Sequence, residues 1–416
     1  MRPSTLLHVL LLVSFAVTIS GCETTEKALT AVGRITKGQT GQAIIDLASG
    51  KDPAQIAKRR LDQYARDPEA LVRDLREAKK DFEAILAVLG VNVGKTWGKK
   101  EVQLPERKKY VKYTQNYKSR AIVDFDSAEI LVETLDDQDP QRSLKNAIVT
   151  TLLTPQDPRS VDLFSDKEIV LTDDKEPYLF GLVLDQKNKP IRSPEDAEPF
   201  AAYLLEKKYA TRTVDQDGTK KTVHYATMAM VSNLPMKQAE KYRTLVHQFA
   251  QQYNISPSLV FAVIRTESNF NPYAVSSAPA YGLMQLVPTS GGREAYRKAK
   301  GQDVIPSRDY LFDPENNVEL GTAFLNVLMF NQLEAVDHNV SREYCVIAAY
   351  NTGAGNVFRT FSRDRTTAVN QINSLQPAGV YDQLRKSLPY EETRHYLEKV
   401  TGYRKSFVSS SENSNP

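Results

Sequence analysis

The chain opens on an apolar run. Arg2 is followed by Leu6 to Val13, then by Phe15-Ala16-Val17, and the run closes at Ile19-Ser20-Gly21-Cys22. A charged start, a short apolar core and small residues before a cut are the layout of a secretory signal. The run is too short for a membrane-spanning helix. Residues 23 to about 95 are polar and helical in texture. Asp52-Pro53 and Asp67-Pro68 read as helix starts, with aspartate as N-cap and proline at the first helical position. After the second, Leu71, Val72, Leu75, Phe82, Ile85, Leu86 and Leu89 fall on one side, and Gly90 and Gly94 are expected to end the helix. This segment reads as an amphipathic hairpin packed on the body, with a spacer or a partner-binding arm as the alternative.

From about 96 the texture changes. Lys99, Lys100, Arg107, Lys108, Lys109, Lys112, Lys118 and Arg120 are interleaved with Trp97, Tyr110, Tyr113 and Tyr117. Such a mixture can bind nucleic acid through stacking and phosphate contact. In a secreted chain we expect a solvated face or a surface for an anionic polymer instead. Strand texture follows: 121–125 and 130–133 flank an Asp126-Ser127 turn, and 178–184 reads as a buried strand. Helices are expected over 140–153 and about 197–208. Asp217-Gly218 is a hairpin turn between 211–214 and 223–231. Beyond Leu234-Pro235 the pattern is helical to about Val408, and the Ser/Asn-rich tail reads as disordered. The expected organisation is a signal peptide at 1–21, a helical spacer at 22–95, an α+β module at 96–232, a mostly α-helical domain at 235–408 and a tail at 409–416.

Composition narrows the class. A chain of 416 residues has room for two domains, and 41% hydrophobic with 25% charged residues is ordinary for a folded protein. A net charge of +3 argues against a dedicated nucleic-acid binder. Ile19-Ser20-Gly21-Cys22 resembles the lipobox of bacterial lipoproteins. That likeness implies that Cys22 becomes the acylated first residue; with Glu23 rather than aspartate after it, the outer membrane is expected. The second cysteine, Cys345, lies in the apolar stretch 344–349 and reads as a core residue. His247, His338 and His395 lack metal-ligand spacing, so no metal or other cofactor is expected.

The chemistry points to 256–268. Ser256 and Pro257 start a helix, and Val260, Val263 and Ile264 share a face on which Glu267 also falls. Burial of a carboxyl raises its pKa, as a general acid working near neutral pH requires. A structural glutamate satisfied by an arginine or a helix N-terminus would give the same pattern.

The segments downstream decide between these readings. Glu267-Ser268-x-x-Asn271-Pro272, Gly282-Leu283-Met284-Gln285, Ala349-Tyr350-Asn351-x-Gly353 and Glu392-Thr393-Arg394-His395-Tyr396 follow in order. Together they resemble the soluble-type lytic transglycosylases, whose catalytic domain has a goose-type lysozyme-like fold. The likeness extends to the membrane-bound C-type members through Tyr110-Val111-Lys112-Tyr113-Thr114 and Ser160-Val161-Asp162-Leu163, which implies that the α+β module is cystatin-like. The helical segment at 25–95 departs from that pattern. The resemblance implies that Glu267 protonates the glycosidic oxygen between MurNAc and GlcNAc of peptidoglycan, then takes a proton from the C6 hydroxyl of MurNAc. The product is a 1,6-anhydro end. It also implies that Ser276, Met284 and Gln285 line the cleft, with Tyr350, Asn351 and Tyr396 near the glutamate. Asp313 reads as a helix N-cap, and Asn317 and Gly321 as packing residues. No Asp or Glu lies between Glu267 and Glu294, in keeping with a one-carboxylate site. A hydrolytic muramidase of the same fold and a non-catalytic wall-binding lipoprotein remain the alternatives. The expected partners are glycan strands and, through Cys22, the inner leaflet of the outer membrane.

Overall fold

The computed structural model describes residues 68–171, 176–276 and 279–412. The signal segment, Cys22 and the Asp52-Pro53 helix start lie outside the described residues. The chain divides into two compact units. In the first, helix α1 runs from Pro68 to Trp97 without a break. Gly90 and Gly94 therefore do not end it. Glycine inside a helix costs only about 1 kcal/mol relative to alanine, and Leu89, Val93 and Trp97 are fully buried around them. The stop is Gly98, at φ 90°. A side chain there would be strained by that φ, and its Cβ would fall 2.6 Å from the Asp215 carbonyl oxygen in the same unit.

The second unit spans 105–213, 222–276 and 280–416. The sheet contains β1 (Lys109–Thr114), β2 (Ser119–Asp124) and β3 (Glu129–Thr134), followed by β4 (Ala210–Gln216) and β5 (Thr219–Ala229), of which residues 214–221 are counted with the first unit. The strand order is β1-β2-β3-β5-β4. The β1–β2, β2–β3 and β3–β5 pairs are antiparallel. Helices α2 (Pro140–Leu152) and α3 (Pro194–Lys207) bury Leu144, Ile148, Phe200 and Leu204 in one apolar cluster with Val123, Ile130 and Val132 of the sheet. Asp139 caps α2 by accepting from the Arg142 amide.

Three expectations change here. The basic stretch is not one solvated face: Lys109–Thr114 is a strand, and Lys112 and Arg120 are buried. The Lys112 ammonium donates to the carbonyls of Asp162 and Ser165 at 2.8 and 2.9 Å, and burial pushes its pKa down to about 8. Arg120 is paired across the ladder with Glu133. Second, residues 178–184 form turns with isolated bridges, not a strand. Tyr178, Leu179, Leu182 and Val183 are buried nonetheless, because an apolar run reports burial and not backbone conformation. Third, the last helix continues to Glu412, beyond the expected end at Val408.

After β5 the unit is helical: α4 (Leu234–Lys241), α5 (Arg243–Gln252), α6 (Pro257–Ser268), α7 (Arg293–Lys300), α8 (Arg308–Phe312) and α9 (Pro314–Val327). Then come α10 (Asn339–Thr352), α11 (Ala354–Phe361), α12 (Arg365–Ser374), α13 (Pro377–Ser387) and α14 (Glu391–Glu412). Helix α6 packs along α14, and α10 packs against α11, α13 and α14. Tyr273 belongs to the same apolar cluster as the sheet residues, so the core continues past the change of texture at Leu234-Pro235. Cys345 is fully buried in α10, and burial pushes its thiol up to about 12.

Candidate active site

Helix α6 is apolar on nearly all sides. Leu259 to Ile264 are all buried, which marks a central helix and not a surface one. Ser256 stands at its N-cap position without a side-chain cap bond; its hydroxyl pairs with that of Ser258. Glu267 lies in the last turn and is 5% exposed. The helix ends at Asn269, in the left-handed region at φ 47°. Residues just past Glu267 then fasten this end. Ser268 donates its hydroxyl to the Leu283 carbonyl at 2.8 Å, Asn269 its amide to the Phe125 carbonyl at 2.6 Å, and Asn271 its amide to the Arg107 carbonyl at 3.2 Å.

Burial pushes the Glu267 carboxyl up from 4.5 to about 7. Opposing this are the facing Tyr396 phenol, then the Arg107 guanidinium, whose Nη1 lies 3.7 Å from Glu267 Oε2. Glu392 pushes in the same direction as burial, and Lys108 in the opposite one. Tyr396 is 4% exposed, and its hydroxyl makes no bond of good hydrogen-bond geometry; the Glu267 carboxyl is the polar group it faces. Burial and the Glu267 charge raise both Tyr396 and Tyr350 well above 10, so both phenols stay protonated.

The loop before α7 is held from below. Gly282 takes φ 74°, and a Cβ there would lie 2.5 Å from both Asn317 Nδ2 and the Leu311 carbonyl oxygen. Asn317 accepts from the Met284 amide at 2.8 Å and donates to the carbonyls of Tyr281 and Leu311. It is therefore a loop anchor as well as a packing residue. Gly321 leaves the room that Met284 fills: a Cβ at 321 would come within 2.7 Å of Met284 Cε. Tyr350 donates its hydroxyl to the Met284 carbonyl at 2.8 Å. Gln285, at φ 49°, donates its amide to the carbonyls of Ala274 and Gly282, while its buried Oε1 has no partner. As expected, Asp313 caps α9 by accepting from the Asn316 amide.

Glu267, Tyr350, Tyr396 and the Met284-Gln285 loop are thus brought together. The Asn351 Oδ1 accepts from the Thr393 hydroxyl at 2.6 Å, tying α10 to α14. Ser276 is partly exposed and its amide bonds to the Ala280 carbonyl. Sequence reasoning missed Arg107 and Glu392, which form an ion pair at 3.3 Å beside Glu267. No spacing rule connects positions so distant along the chain. Among the described residues no group of three His, Cys, Asp or Glu is arranged to hold a metal.

Comparison with known proteins places the chain in a family. Residues 72–241 match the family model described as membrane-bound lytic murein transglycosylase C, N-terminal domain. Residues 244–373 match the transglycosylase SLT domain. The first match begins inside α1, so the helix belongs in part to the family's N-terminal domain. The chain is 43% identical over 339 residues to membrane-bound lytic murein transglycosylase C of Serratia proteamaculans, covering 82% of this chain and 92% of that protein. It is also 43% identical over 341 residues to the Yersinia enterocolitica protein of the same name, with the same coverage. An inactive mutant of the lytic transglycosylase Slt from Pseudomonas aeruginosa aligns at 27% identity with a TM-score of 0.33, covering 42% of this chain and 25% of that one. With both domain models present in order and such identity along most of its length, the chain belongs to the membrane-bound lytic murein transglycosylase C family.

Proposed function

We propose that this protein cleaves the MurNAc–GlcNAc β-1,4 bond of peptidoglycan without water, leaving 1,6-anhydro-MurNAc ends, with Glu267 as acid and then base. The observation that carries this reading is the state of Glu267: a buried carboxyl, raised to about 7, that lies in the last turn of a largely buried helix and faces two phenols. At neutral pH such a group is protonated in a large fraction of molecules and can donate to a leaving oxygen. Once ionised it can take the C6 hydroxyl proton as that oxygen closes on C1. Tyr396 orients the carboxyl, and Tyr350 reaches the same site while bonded to the Met284 carbonyl. Gln285, with an unpartnered Oε1, and Ser276 supply polar contacts to the sugar; Met284 supplies an apolar floor, and Asn351 supports the site through Thr393.

Glu392 gives a hydrolytic reading its one specific support, because hydrolases commonly use a second carboxylate. It is, however, exposed and paired with Arg107. Digestion of purified sacculi and mass analysis of the muropeptides separates the two. Anhydro ends are expected; reducing MurNAc ends throughout would establish hydrolysis instead.

For location, we propose that acylated Cys22 tethers the chain to the inner leaflet of the outer membrane, facing the periplasm. No described helix is long and apolar enough to cross a membrane, and the relatives are named membrane-bound. In this reading the signal ends at 21 and the module at 96–232 supports the helical domain at 235–408.

A further inference from the structure

Arg107 stands just before β1, outside the segments that carry the catalytic motifs. Its position is nevertheless determined by one of them, because the Asn271 amide holds its carbonyl oxygen. Its guanidinium forks between two carboxylates: Nη1 lies 3.7 Å from Glu267 Oε2 and Nη2 lies 3.3 Å from Glu392 Oε1. The neighbouring cation, Lys108, is engaged elsewhere, at 3.1 and 3.2 Å from the two oxygens of Asp126. Asp126 is itself bonded to Asn269. Arg107 is therefore the cation set closest to the acid.

We propose that Arg107 is a positioning residue whose charge, divided between Glu267 and Glu392, sets how readily Glu267 holds the proton it donates. The inference rests on the reading of Glu267 as the acid. A guanidinium fully committed to Glu267 would hold it ionised and spoil it as a donor. Glu392 draws the fork outward and leaves the contact to Glu267 loose, beyond hydrogen-bond reach. The groups facing Glu267 are Arg107 and Lys108 from the segment before β1, Tyr350 from α10, and Tyr396 and Glu392 from α14. The two phenols stay neutral near pH 7, so the balance between Arg107 and Glu392 is the adjustable one.

The test is the pH dependence of kcat/KM for anhydro-muropeptide release by the full-length protein from purified sacculi. Arg107→Gln removes the cation, so the basic limb is expected to move up by about one pH unit. Arg107→Lys keeps the charge and the limb stays nearer the parent. Glu392→Gln frees the fork for Glu267 and moves the limb down. High salt narrows these differences, because the guanidinium is 42% exposed. The same shifts are expected in the ¹³C carboxyl resonance of Glu267, which needs no turnover and serves if a variant is slow. A limb and a resonance in Arg107→Gln that coincide with the parent would overturn this inference while leaving the acid in place. A parent enzyme that releases no anhydro product would instead overturn the function on which it rests.

Discussion

Two buried glutamates in the second unit meet opposite fates. Glu133, on β3, is fully buried and fully answered: Arg120 donates to one oxygen at 2.6 Å and Arg212 to the other at 2.9 Å. Glu267, on α6, is almost as buried, yet its one nearby guanidinium stands at 3.7 Å and is shared with Glu392. Burial costs a carboxylate several kcal/mol unless it is paired and hydrogen-bonded. At Glu133 the surrounding residues meet that cost and the result is a structural pair. At Glu267 they leave it partly unmet, and the carboxyl holds its proton instead. The comparison teaches that burial alone does not distinguish these two carboxyls; the completeness of their pairing does.

The largest expected effect lies at the incompletely paired site. Glu267→Gln keeps the shape and removes the proton donor, so kcat should fall by at least roughly 10²–10⁴-fold. Digestion at the parental rate would remove Glu267 from the mechanism. The same variant reports on stability. The folded-state pKa, about 7, lies above the ordinary 4.5, so the native state binds the proton more tightly than the unfolded chain. The stability this contributes is fully present below about pH 4.5 and is lost as pH rises to about 7. Glutamine does not titrate. Its advantage over the parent in denaturant unfolding should therefore grow across that window, to about 3 kcal/mol above pH 7. A constant difference from pH 4.5 to 8 would show that Glu267 is not raised.

Breaking the other pair should affect folding and spare chemistry. Glu133→Gln removes the carboxylate that Arg120 meets across the ladder, a loss of about 3–5 kcal/mol, read from the urea midpoint. The molecules that remain folded should keep the parental pH profile. A shift in that profile would mean that the sheet pair reaches the acid, and the contrast between the two sites would fail.

The same contrast explains what the chain discloses on reading. Local patterns were legible. Asp217-Gly218 turns a hairpin, Asp313 caps a helix, and Glu267 ends an apolar helix with the ordered motifs after it. These depend on neighbours within a few residues. Tyr396 was legible through its motif, although it lies beyond the stretch matched by the SLT model. Arg107 and Glu392 were not, because their pairing is made by packing between distant segments. Lys112 and Arg120 misled for the same reason: a run of cations looks solvated until packing covers both faces of the strands that carry them. Gly90 and Gly94 misled because burial outweighs a modest local preference.

The smallest expected effect concerns the packing of Met284 against Gly321. Met284 is fully buried, and its side chain occupies the space that Gly321 leaves open. Gly321→Ala would set a Cβ 2.9 Å from Met284 Cβ as well as against its sulfur, so the flexible tip cannot absorb the whole clash. The Met284 backbone is pinned by Asn317 on its amide and by Tyr350 on its carbonyl. Overpacking of this kind costs about 1–3 kcal/mol, and a displaced Met284 carbonyl would carry the Tyr350 hydroxyl with it. Gly321→Ala should therefore lower both the melting midpoint and kcat, whereas a substitution that only loosened the core would lower the midpoint alone. Pairing it with Met284→Val, which shortens the side chain, should recover part of both losses. The recovery is measured as a coupling in a double-mutant cycle. Simple additivity would show that Gly321 and Met284 do not share the space assigned to them.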